Sequence, residues 1–199
     1  MHTSTKHIGI LLFDDVEELD PVGPWEVFSY WTRNHPEDGW AVSLLSRDGA
    51  AVTAAKGMVI GAHHAWATTP PLDVLVHPGG QGTRGLMRDE QHLAWVAAQR
   101  EQVPLMTSVC TGALVYAAAG LLRGRPVTTH WAALEELAAA DPTAQLRPDD
   151  RYVDDGDLVT SAGVSAGIDM ALHLVVRLAG RDRALQVQRG IQYDPAPPA

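Results

Sequence analysis

Apolar residues occur along this chain in two rhythms: short unbroken runs, and longer stretches in which they return every third or fourth position. The runs at 7–13, 40–46, 72–77 and 103–108 predict buried strands, because a strand covered on both faces is apolar at nearly every position. The second rhythm predicts helices. Pro21 and Pro24 open one that runs to about Trp31, with Val27, Phe28 and Trp31 on one face. Another covers 90–101 with Leu93, Val96 and Ala97 turned inward, and others follow over 112–122, 131–140, 163–178 and 182–189. Gly49 and Gly57 punctuate a short hairpin over 51–60, 125–128 is a short strand, and Asp154-Asp155-Gly156-Asp157 turns a second hairpin between 152–153 and 158–160. Strands alternating with helices imply an α/β fold with a largely parallel sheet and helices on both faces. No repeat, low-complexity tract or linker divides the chain, so one domain is expected over 1–199.

Composition narrows the class. With 199 residues, 46% apolar and 20% charged, the chain has enough apolar material for a substantial core. A formal net charge of −9 with no basic cluster excludes a sequence-independent grip on nucleic acid or on an anionic membrane. The apolar run before Asp14 and Asp15 is too short for a signal peptide or a membrane span. One cysteine cannot form an internal disulfide, so a cytoplasmic protein is expected.

That cysteine, Cys110, falls where the predicted strand over 103–108 stops and the helix over 112–122 is about to begin. Small residues two positions away on either side, Ser108 and Gly112, allow the sharp turn of a nucleophile elbow with sulfur in place of oxygen. A helix N-terminus favours the thiolate. The plainer reading is a buried cysteine acting as a small hydrophobe. Two other loops end at the same edge of the sheet: the acidic turn before Asp20, and Pro78-Gly79-Gly80-Gln81-Gly82. Asp20 before Pro21 reads either as a helix N-cap or as a carboxyl beside the thiol, acting as general acid and base. His130 reads either as a thiolate partner or as a helix-start histidine bonded to backbone.

Three other patterns compete. Gly80-Gln81-Gly82-Thr83-Arg84-Gly85 matches a dinucleotide fingerprint, but it lies on a later strand, and bare amides for an oxyanion hole are the better reading. Gly163-Val164-Ser165-Ala166-Gly167 matches a serine-hydrolase elbow. Its would-be partners Asp169 and His173 share one helix and cannot form a relay, so close helix packing explains the small residues. His63 and His64 are adjacent and point apart, and no two histidines have metal-ligand spacing, so neither a metal nor another cofactor is expected.

Read together, these residues resemble the ThiJ/PfpI superfamily and, within it, most of all the isonitrile hydratases. The likeness is carried by Ile10-Leu11-Leu12-Phe13, Leu19-Asp20-Pro21-Val22-Gly23-Pro24, Pro78-Gly79-Gly80, Ser108-Val109-Cys110-Thr111-Gly112, Thr128-Thr129-His130-Trp131 and Ala166-Gly167-Ile168-Asp169. Asp20 and Thr111 together favour the hydratase branch. The resemblance implies a flavodoxin-like three-layer sandwich and a homodimer, acting on a small-molecule isonitrile. It implies Cys110 as nucleophile, Asp20 as its acid/base partner and Thr111 in support. It also implies the amides of Gly80 and Thr111 as anion donors, with Gly79 and His130 at the substrate. Two alternatives use the same thiol: a glyoxalase or deglycase reaction on 2-oxoaldehydes, and redox sensing by Cys110. The acidic turn departs from the hydratase pattern, and Glu18 is expected to compete with Asp20. Hydratases of the family often continue past the position of Pro198, so the dimer edge or pocket lid is expected to differ. A related branch carries a helix-turn-helix regulator that has no counterpart in this sequence. Trp25, Trp66 and Trp131 are candidate walls for the R-group pocket.

Overall fold

The computed structural model describes residues 5–195. The chain opens with β1 (Lys6–Leu11), α1 (Leu19–Asn34) and β2 (Trp40–Ser46). A hairpin of β3 (Val52–Thr53) and β4 (Val59–Ile60), then β5 (His64–Ala65) and β6 (Val74–His77), lead to α2 (Thr83–Leu86) and α3 (Glu90–Gln102). Next come β7 (Leu105–Val109), α4 (Gly112–Ala118), β8 (Pro126–Val127), α5 (Leu134–Ala140) and β9 (Gln145–Leu146). β10 (Tyr152–Asp154), β11 (Leu158–Ser161), α6 (Ala166–Ala179) and α7 (Arg181–Gly190) complete it.

Seven strands form one sheet in the order β10-β11-β7-β6-β1-β2-β5. Every pairing is parallel except the β10–β11 hairpin. Alternation along the strands divides the core between the two faces. Ile8, Ile10, Val74, Val76 and Val159 meet Val27, Phe28 and Trp31 of α1 and Met170 and Leu174 of α6. Leu11, Leu45, Leu75 and Met106 meet Val96 of α3, Leu114 and Tyr116 of α4 and Leu137 of α5. This is the flavodoxin-like three-layer sandwich that the sequence implies. Among the described residues no helix is long and apolar enough to cross a membrane.

Several boundaries move, each for a local reason. β7 begins at Leu105 rather than Val103, because Pro104 has no N–H for the ladder and Val103 closes α3. α4 stops at Ala118, just before Gly120 takes a left-handed conformation at φ 76°. The helix predicted over 163–178 starts only at Ala166, because Val164 sits at φ 52°. The stretch over 131–140 splits into a 3-10 turn, Trp131–Ala133, and α5. On α3, Val96 and Leu93 turn inward as expected and His92 joins them, whereas Ala97 is exposed. β5, a two-residue edge strand, is too short to leave a pattern, and β8 pairs with β9 outside the main sheet.

Candidate active site

Where β7 ends, Cys110 takes up φ 55°, a conformation that costs an L-residue on the order of 1–2 kcal/mol. Its backbone is pinned on both sides. The Cys110 N–H is shared between the Ser161 and Ala162 carbonyls at 3.2 Å each, and the Thr129 hydroxyl donates to the Cys110 carbonyl at 2.7 Å. The turn therefore lifts the thiol out of the sheet between the β6 and β11 loops, as an elbow requires.

Asp20 comes to this thiol from the start of α1, and its side chain caps nothing. It lies inside the first helical turn, after Glu18, with its carboxyl fully buried. Oδ2 accepts from the Gly79 N–H at 2.8 Å. Oδ1 has no hydrogen-bond partner among the described residues, and the Cys110 thiol is near enough to favour the ionised carboxyl. The N-cap reading is thereby overturned. Gly79 is required by close approach: a Cβ there would strike the Thr111 amide and hydroxyl and the Asp20 carboxyl. Gly80, at φ 127°, turns the loop back beneath Val16, to which it is bridged.

Burial pushes the Asp20 carboxyl up to about 7, with the Glu17 carboxylate adding to the rise and the Gly79 N–H opposing it. Burial, and then the Asp20 charge, push the Cys110 thiol up to about 12. The amides of Thr111 and Val164 point at the sulfur and offset only part of that rise. The expectation of a thiolate favoured by its helix is therefore corrected, since α4 is one of the shortest helices and desolvation outweighs it. The pair loses its first proton near neutrality and holds the second mainly on sulfur.

Cys110, Thr111 and Gly80 face a cavity of about 200 Å³ together with Glu17, Gln81, Arg84, His130, Ala132, Ala133 and Val164. Thr111 is buried, and its hydroxyl accepts from the Gly80 N–H at 2.9 Å and lies 3.1 Å from the Gly80 carbonyl. The Gly80 and Gly79 amides are thus both engaged within the protein, and the amides presented to the sulfur are those of Thr111 and Val164. His130 reaches the cavity wall, but its Nδ1 accepts from the Ala132 N–H at 3.2 Å, so the backbone-bonded reading holds. Glu18 does not compete for the thiol, because it turns out to the Lys56 amide and ammonium. None of the three proposed tryptophans lines this cavity. Trp25 stacks on His63, Trp66 stacks on Trp95, and Trp131 is 76% exposed. Ser165 is exposed and faces Arg151, while His173 bonds to Asp154 at 2.6 Å, so no serine relay exists.

Two residues of this site escaped the sequence. Glu17 carried a signal only as part of the acidic turn that leads into α1. Val164 carried none, because an amide N–H does not depend on the side chain and a β-branched residue at positive φ is not expected at all.

A largely parallel sheet with a cysteine elbow at a strand end and a carboxyl buried beside it marks a class of α/β proteins. The chain belongs to the DJ-1/PfpI family, whose model matches residues 6–177. It is 43% identical to the isonitrile hydratase of Pseudomonas putida over 192 residues, 96% of this chain and 80% of that protein. The crystal structure of a ThiJ/PfpI family protein from Pseudomonas syringae superposes with a TM-score of 0.87 at 32% identity, covering 99% of this chain and 78% of that one. Drosophila melanogaster DJ-1beta shares the fold at a TM-score of 0.83 and 22% identity, covering 97% of this chain and all of that one.

Proposed function

We propose that this protein is an isonitrile hydratase, converting R–N≡C and water into R–NH–CHO through a thioimidate on Cys110. The observation that carries the reading is the Cys110 thiol set against the fully buried Asp20 carboxyl. The likeness to the Pseudomonas putida enzyme supports it. Asp20, ionised, takes the thiol proton as sulfur attacks the terminal carbon, then delivers that proton to the same carbon, giving R–N=CH–S. Asp20 next takes a proton from water as the oxygen adds to that carbon, and passes it to nitrogen. Collapse breaks the C–S bond, the hydroxyl proton returns to the thiol by way of Asp20, and the formamide leaves. The Thr111 and Val164 amides steady the charge on sulfur as it attacks and departs. Thr111 also holds Gly80 in place through its hydroxyl, and His130 contributes a wall against the R group.

Family resemblance supports a homodimer, which light scattering in solution checks, and the lone cysteine supports a cytoplasmic setting. Redox sensing has less support from this site, because a thiol pushed up to about 12 presents little thiolate to peroxide. The decisive experiment incubates the protein with cyclohexyl isocyanide and follows the formamide proton by NMR. Formamide from the wild type and none from Cys110→Ala is the expected result. Faster turnover of methylglyoxal than of the isonitrile would replace the reading with the oxoaldehyde reaction.

A further inference from the structure

Behind the cavity, on the α3 side of the sheet, two histidines are buried with their rings in contact. His77 ends β6, and His92 lies on the first turn of α3. Their Nε2 atoms are 3.0 Å apart, and His77 Nδ1 is 2.8 Å from the Pro78 carbonyl oxygen. A carbonyl oxygen only accepts, so Nδ1 of His77 must carry its proton. Burial, and for His77 the neighbouring His92 as well, hold the two rings far below the ordinary histidine value, at about 3 for His77 and about 4 for His92, so both are neutral. A neutral His77 protonated at Nδ1 has a bare Nε2, which must accept from His92 Nε2–H. Only one arrangement of protons satisfies all three atoms.

That arrangement has a direction. His92 donates to His77, and His77 donates to the oxygen of the Pro78–Gly79 peptide. The N–H of that same peptide donates to Asp20 Oδ2. Hydrogen bonds in series polarise one another, and donation to a peptide oxygen strengthens the same peptide's N–H as a donor. We propose that His77, held by His92, is a positioning residue that fixes the Pro78–Gly79 peptide and so sets the hydrogen bond made by Gly79 to Asp20. The inference rests on the hydratase reading only for its effect on turnover.

Plain packing would account for two buried rings. His77 lies edge-on to Tyr116, and His92 tilts against Trp66. Packing alone does not require the donor at Nδ1, and the test must read that donor. The groups facing Asp20 are Glu17, Lys56 and Cys110; those facing His92 are Arg47, Asp89 and His77. None of the three groups facing Asp20 is altered when His77 becomes leucine.

The experiment labels aspartate carboxyl carbons with 13C and titrates Asp20 by NMR, its signal identified by loss in Asp20→Asn. The Gly79 bond favours ionised Asp20, so weakening it raises the midpoint. His77→Leu is expected to raise it by roughly 0.5–1 pH unit. His77→Asn, which keeps an N–H near the place of Nδ1, returns most of the way. His92→Phe, which leaves His77 Nε2 without a donor, moves the midpoint in the same direction by less, and His92→Gln does not. The acid limb of kcat/KM for isonitrile hydration shifts in parallel. An unchanged midpoint in His77→Leu overturns the proposal; if that variant does not fold, an unchanged midpoint in His92→Phe overturns it instead. Shifted midpoints in a protein that makes no formamide would sink the hydratase reading and leave the positioning role standing.

Discussion

At the scale of single residues the proposed chemistry rests on how Asp20 and Cys110 divide their protons. Because the carboxyl is pushed up to about 7 and the thiol to about 12, the state with one proton on the pair is reached only as pH rises through neutrality. Hydration is therefore expected to climb with pH along a limb centred near 7, and a rate already flat from pH 5 would contradict this division. Asp20→Asn is expected to abolish formamide production. It also removes a negative charge from beside the sulfur, so Cys110 in that variant should react with iodoacetamide several-fold faster at pH 8 than in the wild type, as read by intact mass. Cys110 and Asp20 were both legible in the sequence, one from its place between strand and helix and the other from the family motif. Their protonation was not legible, because it depends on desolvation by distant segments. The helix-start argument for a thiolate took a local term for the dominant one.

Among the elements, the loops after β6 and β11 decide whether the elbow works. Gly79 is packed so tightly between Asp20 and Thr111 that Gly79→Ala is expected to cost ~1–3 kcal/mol in a urea unfolding series and most of the activity. A variant with wild-type midpoint and rate would show that the loop gives way easily. The strands of the central sheet were readable because apolar runs mark them directly. Boundaries failed where a backbone device intervened: Pro104 before β7, Gly120 after α4, and Val164 before α6. Val164 and the exit of Glu18 toward Lys56 were hidden for a shared reason. Each depends on contacts between segments far apart in the chain, about which local spacing says nothing.

For the whole molecule, buried titrating groups tie stability to pH with opposing signs. His77 and His92 take up protons in the unfolded chain near 6.5 but in the folded one only near 3 and 4, so each removes stability as pH falls below 6.5. Asp20, protonated from about 7 when folded and from 3.8 when unfolded, adds stability over much of the same range. Two groups oppose one, and the net expectation is a urea midpoint that falls from pH 6.5 to 4.5. The fall should be shallower in His92→Phe and steeper in Asp20→Asn, and equal slopes in all three proteins would refute this account. The left-handed backbone at Cys110 has a consequence of another kind. Alanine at this position inherits the strain and glycine escapes it, so Cys110→Gly is expected to melt at a higher temperature than Cys110→Ala although neither can turn over substrate. A sequence selected for durability alone would favour glycine here, so carrying a thiol at this position has a standing cost in stability.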